Sequence, residues 1–164
     1  MSEEQQANEQ GDQEGEQKFA IQRIYVKDIS FEAPNSPVIF TEKWEPDVNV
    51  ELNTQANQLN EGLYEVVLHV TVTAKIGDKT GYLVEVQQAA IFEVSGFDEQ
   101  QMGHMIHSYC PNLLFPYVRE AVSDMVNRGS FPQINLAPVN FDTLYAQYLQ
   151  QQADEGEAAE QPIH

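Results

Sequence analysis

Two stretches of strict alternation, joined by a tight turn, constrain this chain more than any other feature. From Tyr64 to Ile76 the residues Tyr64, Val66, Leu68, Val70, Val72, Ala74 and Ile76 alternate with Glu65, Val67, His69, Thr71, Thr73 and Lys75. A period of two sends the sets to opposite faces of a strand, so an apolar face and a mixed face are specified together. Gly77-Asp78-Lys79 offers the turn, and the pattern repeats over 81–94. There Tyr82, Val84, Val86, Ala90, Phe92 and Val94 oppose Leu83, Glu85, Gln87, Ala89, Ile91 and Glu93. Short connections of this kind predict antiparallel neighbours sharing one core face.

The run FAIQRIYVKDISF at 19–31 is rich in β-branched and aromatic residues and stops at APNSP, where Pro34 and Pro37 punctuate. A further strand is predicted over 47–53, with Val48, Val50 and Leu52 on one face and Asn49 and Glu51 on the other. The loop between carries Phe40 and the single tryptophan, Trp44. Past Gly96 the apolar period lengthens to 3.6, through Met102, Ile106, Tyr109, Leu114, Val118, Val122 and Val126, until Gly129 ends it. Pro111 and Pro116 fall inside this helical run. Each removes a backbone donor, so a break or kink is expected. A Pro-punctuated connector, 130–141, leads to a last helix over 142–152, with Asp142 as its N-cap. The expected fold is α+β: a four-stranded antiparallel sheet, a meander, followed by two C-terminal helices.

Charge then limits the partners. The chain has 26 Asp and Glu against eight Lys and Arg, a formal charge of -18. Six acids lie in 1–17 and four from Gln151 onward, neither stretch holding a base; 16 acids and eight bases remain between them. Both ends are poor in apolar residues and are expected to be disordered acidic tails, 1–17 and 153–164, around one domain at 18–152. Nucleic-acid affinity needs clustered Lys and Arg, and no window gathers more than two. The same deficit argues against anionic membrane surfaces. No apolar run approaches the ~20 residues that span a bilayer. The acidic, Gln-rich N-terminus is unlike a secretory leader, and the lone Cys110 cannot form an internal disulfide. A cytoplasmic protein is expected, without nucleic-acid partners or membrane insertion.

Catalytic templates find no purchase. His104 and His107 stand three apart on a predicted helix, but two histidines without a matching carboxylate pair are a weak metal signal. Cys110, between Tyr109 and Pro111, reads as a small apolar residue at a helix break and not as a thiol nucleophile. No GxSxG, Walker-type loop or GxGxxG occurs. No enzyme, metal or cofactor is expected. The surface offers more. Leu83 and Glu85 lie off the core face of the fourth strand, and Asp28 and Glu32 share a parity with Ser30 in the first. Acids so placed form either an ordinary solvated face or a docking surface for a basic partner. Phe40, Trp44, Phe131, Phe141 and Tyr145 read either as core or as the lining of a groove for extended apolar segments. The residues alone lead to an acidic α+β binding module.

Several segments also resemble a known family. These are FAIQRIYVKDISFEAP at 19–34, YEVVLHVTVT at 64–73, YLVEVQQ at 82–88, YCPNLLFP at 109–116 and FPQINLAPVNFDTLYAQYLQQQ at 131–152. Together they closely resemble the SecB family of bacterial protein-export chaperones, over essentially everything between the acidic tails. The resemblance implies a homotetramer, a dimer of dimers with long helices sandwiched between sheets, and no catalysis, nucleotide or metal. It implies a holdase that keeps secretory precursor proteins unfolded in the cytosol and passes them to SecA, the ATPase of the Sec translocon. The family's SecA-binding positions match Asp28, Glu32, Leu83 and Glu85. Its tetramer-perturbing positions match Tyr82, Val84, Val86 and Gln88. Its client grooves, flanked by the crossover loop and the helix connector, match Phe40, Trp44, Phe131 and Phe141. The C-terminal residues Glu160–His164 match the family's second SecA contact only loosely. The competing reading is an acidic structural or adaptor protein that binds one folded partner.

Overall fold

A computed structural model describes residues 15–159, so the expected tails at 1–14 and 160–164 fall outside the described residues. Four strands, β1 (Lys18–Glu32), β2 (Asp47–Asn60), β3 (Leu63–Ile76) and β4 (Lys79–Ser95), form one antiparallel sheet. Their spatial order is β1-β4-β3-β2. The expected meander therefore holds for β2, β3 and β4, whose turns carry Gly62 at φ +70 and Gly77 at φ +57, a left-handed backbone that glycine adopts without strain. It fails for β1. The segment 33–46, too long for a hairpin, crosses one end of the sheet and leaves β1 beside β4 in a Greek-key order. Asn35 donates to the Thr80 carbonyl at 2.9 Å and pins the crossover to the start of β4.

The final helices are also more articulated than expected. Asp98 caps α1 (Glu99–His104) by a capping box, its carboxylate accepting from the Gln101 N–H at 2.8 Å. A π-turn follows at Met105–Tyr109, and α2 (Cys110–Arg128) continues directly from it. The break announced by the prolines is this π-turn. Pro111 has no N–H, and its ring crowds the carbonyl four residues back, at His107. The wider turn relieves that clash, and the Cys110 N–H donates instead to the Met105 carbonyl, five residues back. Pro116 lies within α2 without ending it. The last helix, α3 (Phe141–Ala159), outruns its expected end at Gln152. The start of the expected second tail is thus helical, because Ala153, Glu155 and Glu157 are strong helix formers that carry the turn onward. Its capping side chain is Asn140, which accepts from the Thr143 N–H at 3.1 Å, and not Asp142.

The core lies between the inner sheet face and α2. Val66, Leu68, Val70 and Val72 of β3 and Tyr82, Val84, Val86 and Phe92 of β4 meet Leu114, Phe115, Val118, Val122 and Val126 of α2. Helix α2 packs on the two central strands and leaves the lateral margins open. Ala74 and Val72 are 0% exposed, whereas their β2 partners Val48 and Val50 are 44% and 47% exposed on the same face. On the other margin Ile21, Val26 and Ile29 of β1 are likewise exposed.

Candidate functional site

The outer sheet face gathers the four acidic-face positions. The β1–β4 register sets Glu32 opposite Leu83, Ser30 opposite Glu85 and Asp28 opposite Gln87. Directly paired positions share a face, and diagonal neighbours lie about 7–8 Å apart, so Asp28 and Glu32 flank Glu85. Two bulges in β1, at Gln22 and Lys27, reset its parity to make this alignment. Continuing across the sheet, Glu85 pairs with Thr71 and Thr71 with Glu51. Glu51 is thus a further acid on this face that its parity in β2 already indicated. Among the described residues, no salt bridge engages Asp28, Glu32, Glu51 or Glu85. Lys27, the base next to Asp28, turns instead to Glu65 at 2.8 Å. Glu65 also accepts from the Tyr25 hydroxyl. Lys27 and Tyr25 together hold the Glu65 carboxyl below its ordinary range, while desolvation and then Glu65 push the Tyr25 phenol up to about 12.

Tyr82, Val84, Val86 and Gln88 occupy the opposite, inner face, and all four are buried in this chain's own core. Gln88 is a buried polar residue satisfied by donating to the Tyr25 carbonyl at 3.1 Å. Their side chains face α2 and the crossover, so any effect on assembly must travel through packing of the sheet and helix.

Three of the four expected groove aromatics come together. Phe131 is buried with its ring centroid 5.1 Å from Phe40, 5.2 Å from Trp44 and 5.1 Å from Tyr82. Trp44 in turn stacks on Tyr82 at 6.1 Å. Gly81 lets the indole approach this closely, for a Cβ there would stand 2.9 Å from two Trp44 ring atoms. Phe40 remains exposed on the rim. Phe141 does not join them. It lies at the start of α3, 6.0 Å from Phe115, and lines a separate groove between β2 and α3. That groove, about 440 Å³, is walled by Leu52 and Thr54 on one side and by Leu144, Tyr145 and Tyr148 on the other, and His107 also lines it. Sequence reading offers Phe141 and Tyr145 as groove lining but not their β2 wall, since nothing local places Leu52 and Thr54 beside α3.

Helix α3 is tethered there by side chains. Asp142 binds His104 Nε2 at 2.7 Å and accepts from the Ser108 hydroxyl at the same oxygen. Ser108 first, then His104, holds its carboxyl below the ordinary range. Both partners meet one carboxylate oxygen, which makes the trio a clamp and not a serine–histidine nucleophile pair. His104 and His107 diverge, one to Asp142 and one to the groove. No group of three or more His, Cys, Asp or Glu among the described residues is arranged to hold a metal ion. Burial pushes the Cys110 thiol up to about 12, which leaves it protonated and unreactive. No helix among the described residues is long and apolar enough to cross a membrane.

Comparison with known proteins bears on these surfaces. A model of the family described as preprotein translocase subunit SecB matches residues 12–152. A protein-export protein SecB of Marinobacter nauticus is 53% identical over 166 residues, covering 100% of both chains. Its counterpart from Methylococcus capsulatus is 58% identical over 147 residues, covering 90% of this chain and 95% of that one. Among solved structures, a Mycobacterium tuberculosis SecB-like chaperone, in complex with a ChAD peptide from the HigA1 antitoxin, superposes with a TM-score of 0.60. It is 15% identical and covers 74% of this chain and 90% of that one, a likeness of fold.

Proposed function

This chain belongs to the SecB family of protein-export chaperones, and from that membership we propose a specific division of labour among its surfaces. Unfolded precursor segments bind along the apolar margin formed by the β2–α3 groove and the Phe40–Trp44–Phe131 cluster. A second copy covers the exposed β1 residues Ile21, Val26 and Ile29, building toward a homotetramer, a dimer of dimers. The acidic outer face, Asp28, Glu32, Leu83 and Glu85, receives SecA. The protein works in the cytoplasm, without ATP of its own.

The observation that carries this reading is the separation of roles on one sheet. Apolar side chains left open at the margins of the inner face suit chains that expose apolar surface. The unpaired carboxylates on the outer face suit a basic, folded partner. One protein can then hold a client and dock its recipient at once. Several weak segment contacts on linked sites raise the effective concentration without sequence specificity. Binding the unfolded state draws the client away from folding.

Replacing Glu85 with lysine tests the docking face. The E85K variant is expected to lose at least about tenfold in SecA affinity, about 1.4 kcal/mol, since it removes one attraction and adds a repulsion in the middle of the patch. Its client affinity should match the parent, and light scattering should give a mass near four chains for both. Unchanged SecA affinity would remove the patch assignment, and a monomeric parent would remove the assembly.

A further inference from the structure

The β2–α3 groove is lined by one histidine. His107 lies on the π-turn and stacks on Tyr145 of α3 with centroids 5.6 Å apart and planes 18° from parallel. Tyr148, one turn further along α3, lies 6.5 Å away with its plane tilted by 33°. The π-turn creates this placement: an added residue in the turn rotates the helix preceding Pro111 relative to a plain α-helix. We propose that His107 is a proton-dependent selectivity element of this groove: neutral, it completes an aromatic wall that admits apolar client segments; protonated, it places a cation there and expels them. This rests on the groove being a client site.

The charged and titratable groups around His107 decide the sign. On its own helix stand His104, already committed to Asp142, and Cys110, a buried thiol that stays neutral. From α3 come Asp142, engaged by His104 and Ser108, and the phenols Tyr145 and Tyr148. From β2 come Leu52, Asn53, Thr54 and Gln55, none ionisable. No carboxylate lines the groove to pair with an imidazolium. Desolvation already holds the His107 imidazole below its ordinary value. An apolar segment filling the groove removes more water from it and lowers the bound-state value further. Protonation and client binding therefore oppose each other, and affinity is lost as pH falls through the free-state value, below the ordinary ~6.5 of histidine.

The experiment follows the anisotropy of a labelled apolar peptide, blocked at both ends and free of ionisable groups, on the full-length protein between pH 8.0 and 5.5 at constant ionic strength. Affinity is expected to hold steady at the alkaline end and to fall as the pH drops below the ordinary histidine range. H107F, which keeps the aromatic wall without the proton, should give a flat profile, read as the ratio of its affinities at the two ends of the range. H107Q should also be flat, and H104Q should keep the parental fall. The same peptide bearing a cysteic acid, whose sulfonate stays charged throughout, should lose less affinity or gain it. A parental pH fall surviving in H107F and H107Q would overturn the assignment, as would an equal loss for the acidic peptide. Failure of the groove itself is read separately: L144E at pH 8.0 should weaken the peptide at least tenfold, and unaltered affinity would show that clients bind elsewhere.

Discussion

At the scale of single residues, close approaches decide which side chains meet. Phe40 and Trp44 share the crossover, Phe131 lies far from both in sequence, and nothing in the local pattern of residues says that the three meet. Their convergence depends on Gly81, which opens a flat seat for Trp44 on β4. Alternation alone could not assign that role, since a glycine at the start of a strand reads as turn chemistry. Substituting Gly81 with alanine should force the indole off Tyr82 and cost about 1–3 kcal/mol through overpacking. Trp44 is the single tryptophan, so its emission reports the change without interference. A shift of that emission to longer wavelength, with a lower urea midpoint, is the expected result. An unaltered spectrum would mean that Trp44 is not seated as described. Cys110 shows the opposite case. Its neighbours Tyr109 and Pro111 already marked a small apolar residue at a helix break, and it is buried beside the π-turn. Asp142 was misplaced as a cap because Asp and Asn suit that position equally, and Asn140 stands two residues earlier.

At the scale of elements, legibility followed burial. The central strands β3 and β4 declared themselves because both have a fully covered inner face, which enforces strict alternation. In β1 the pattern blurs, and its two bulges explain why. Phe19, Ile21, Ile24, Val26, Ile29 and Phe31 all point inward only if Gln22 and Lys27 are skipped. In β2 the second half is polar because the helix does not reach it, so only hydrogen bonds to β3 keep it extended. The bulge account makes a prediction. Deleting Lys27, the extra residue of its bulge, should leave Val26 opposite Gln88 and Asp28 opposite Gln87, so every side chain of β1 keeps its face. The variant should lose no more than about 1 kcal/mol in denaturant unfolding, the scale of a surface change that also removes one exposed ion pair. A loss above about 3 kcal/mol, the cost of turning large apolar side chains outward, would show that Lys27 is a ladder residue and not a bulge.

At the scale of the whole molecule, the excess of acid divides into two kinds. The ends, 1–17 and 151–164, hold ten acids and no Lys or Arg, which favours solubility in a protein with open apolar margins. On the body, Asp28, Glu32, Glu51 and Glu85 share one face with Leu83, and the docking proposed for that face should weaken with salt. The fold class, the helix order and the acidic face were legible because they follow from local periods and parity. The Greek-key placement of β1 and the β2–α3 groove were not, since both depend on where a long connection lands and which strand margins the helices leave bare. The bare margin at β2 and α3 is the heart of the account, which proposes that it holds chains that have not folded. The most direct test is to dilute a slowly folding precursor from denaturant with and without a stoichiometric amount of this protein and to follow its refolding. The precursor's folding rate is expected to fall steeply in its presence, without nucleotide, and to recover when an unfolded competitor is added. A refolding rate indifferent to the protein would contradict the chaperone account and favour an adaptor that recognises only folded partners.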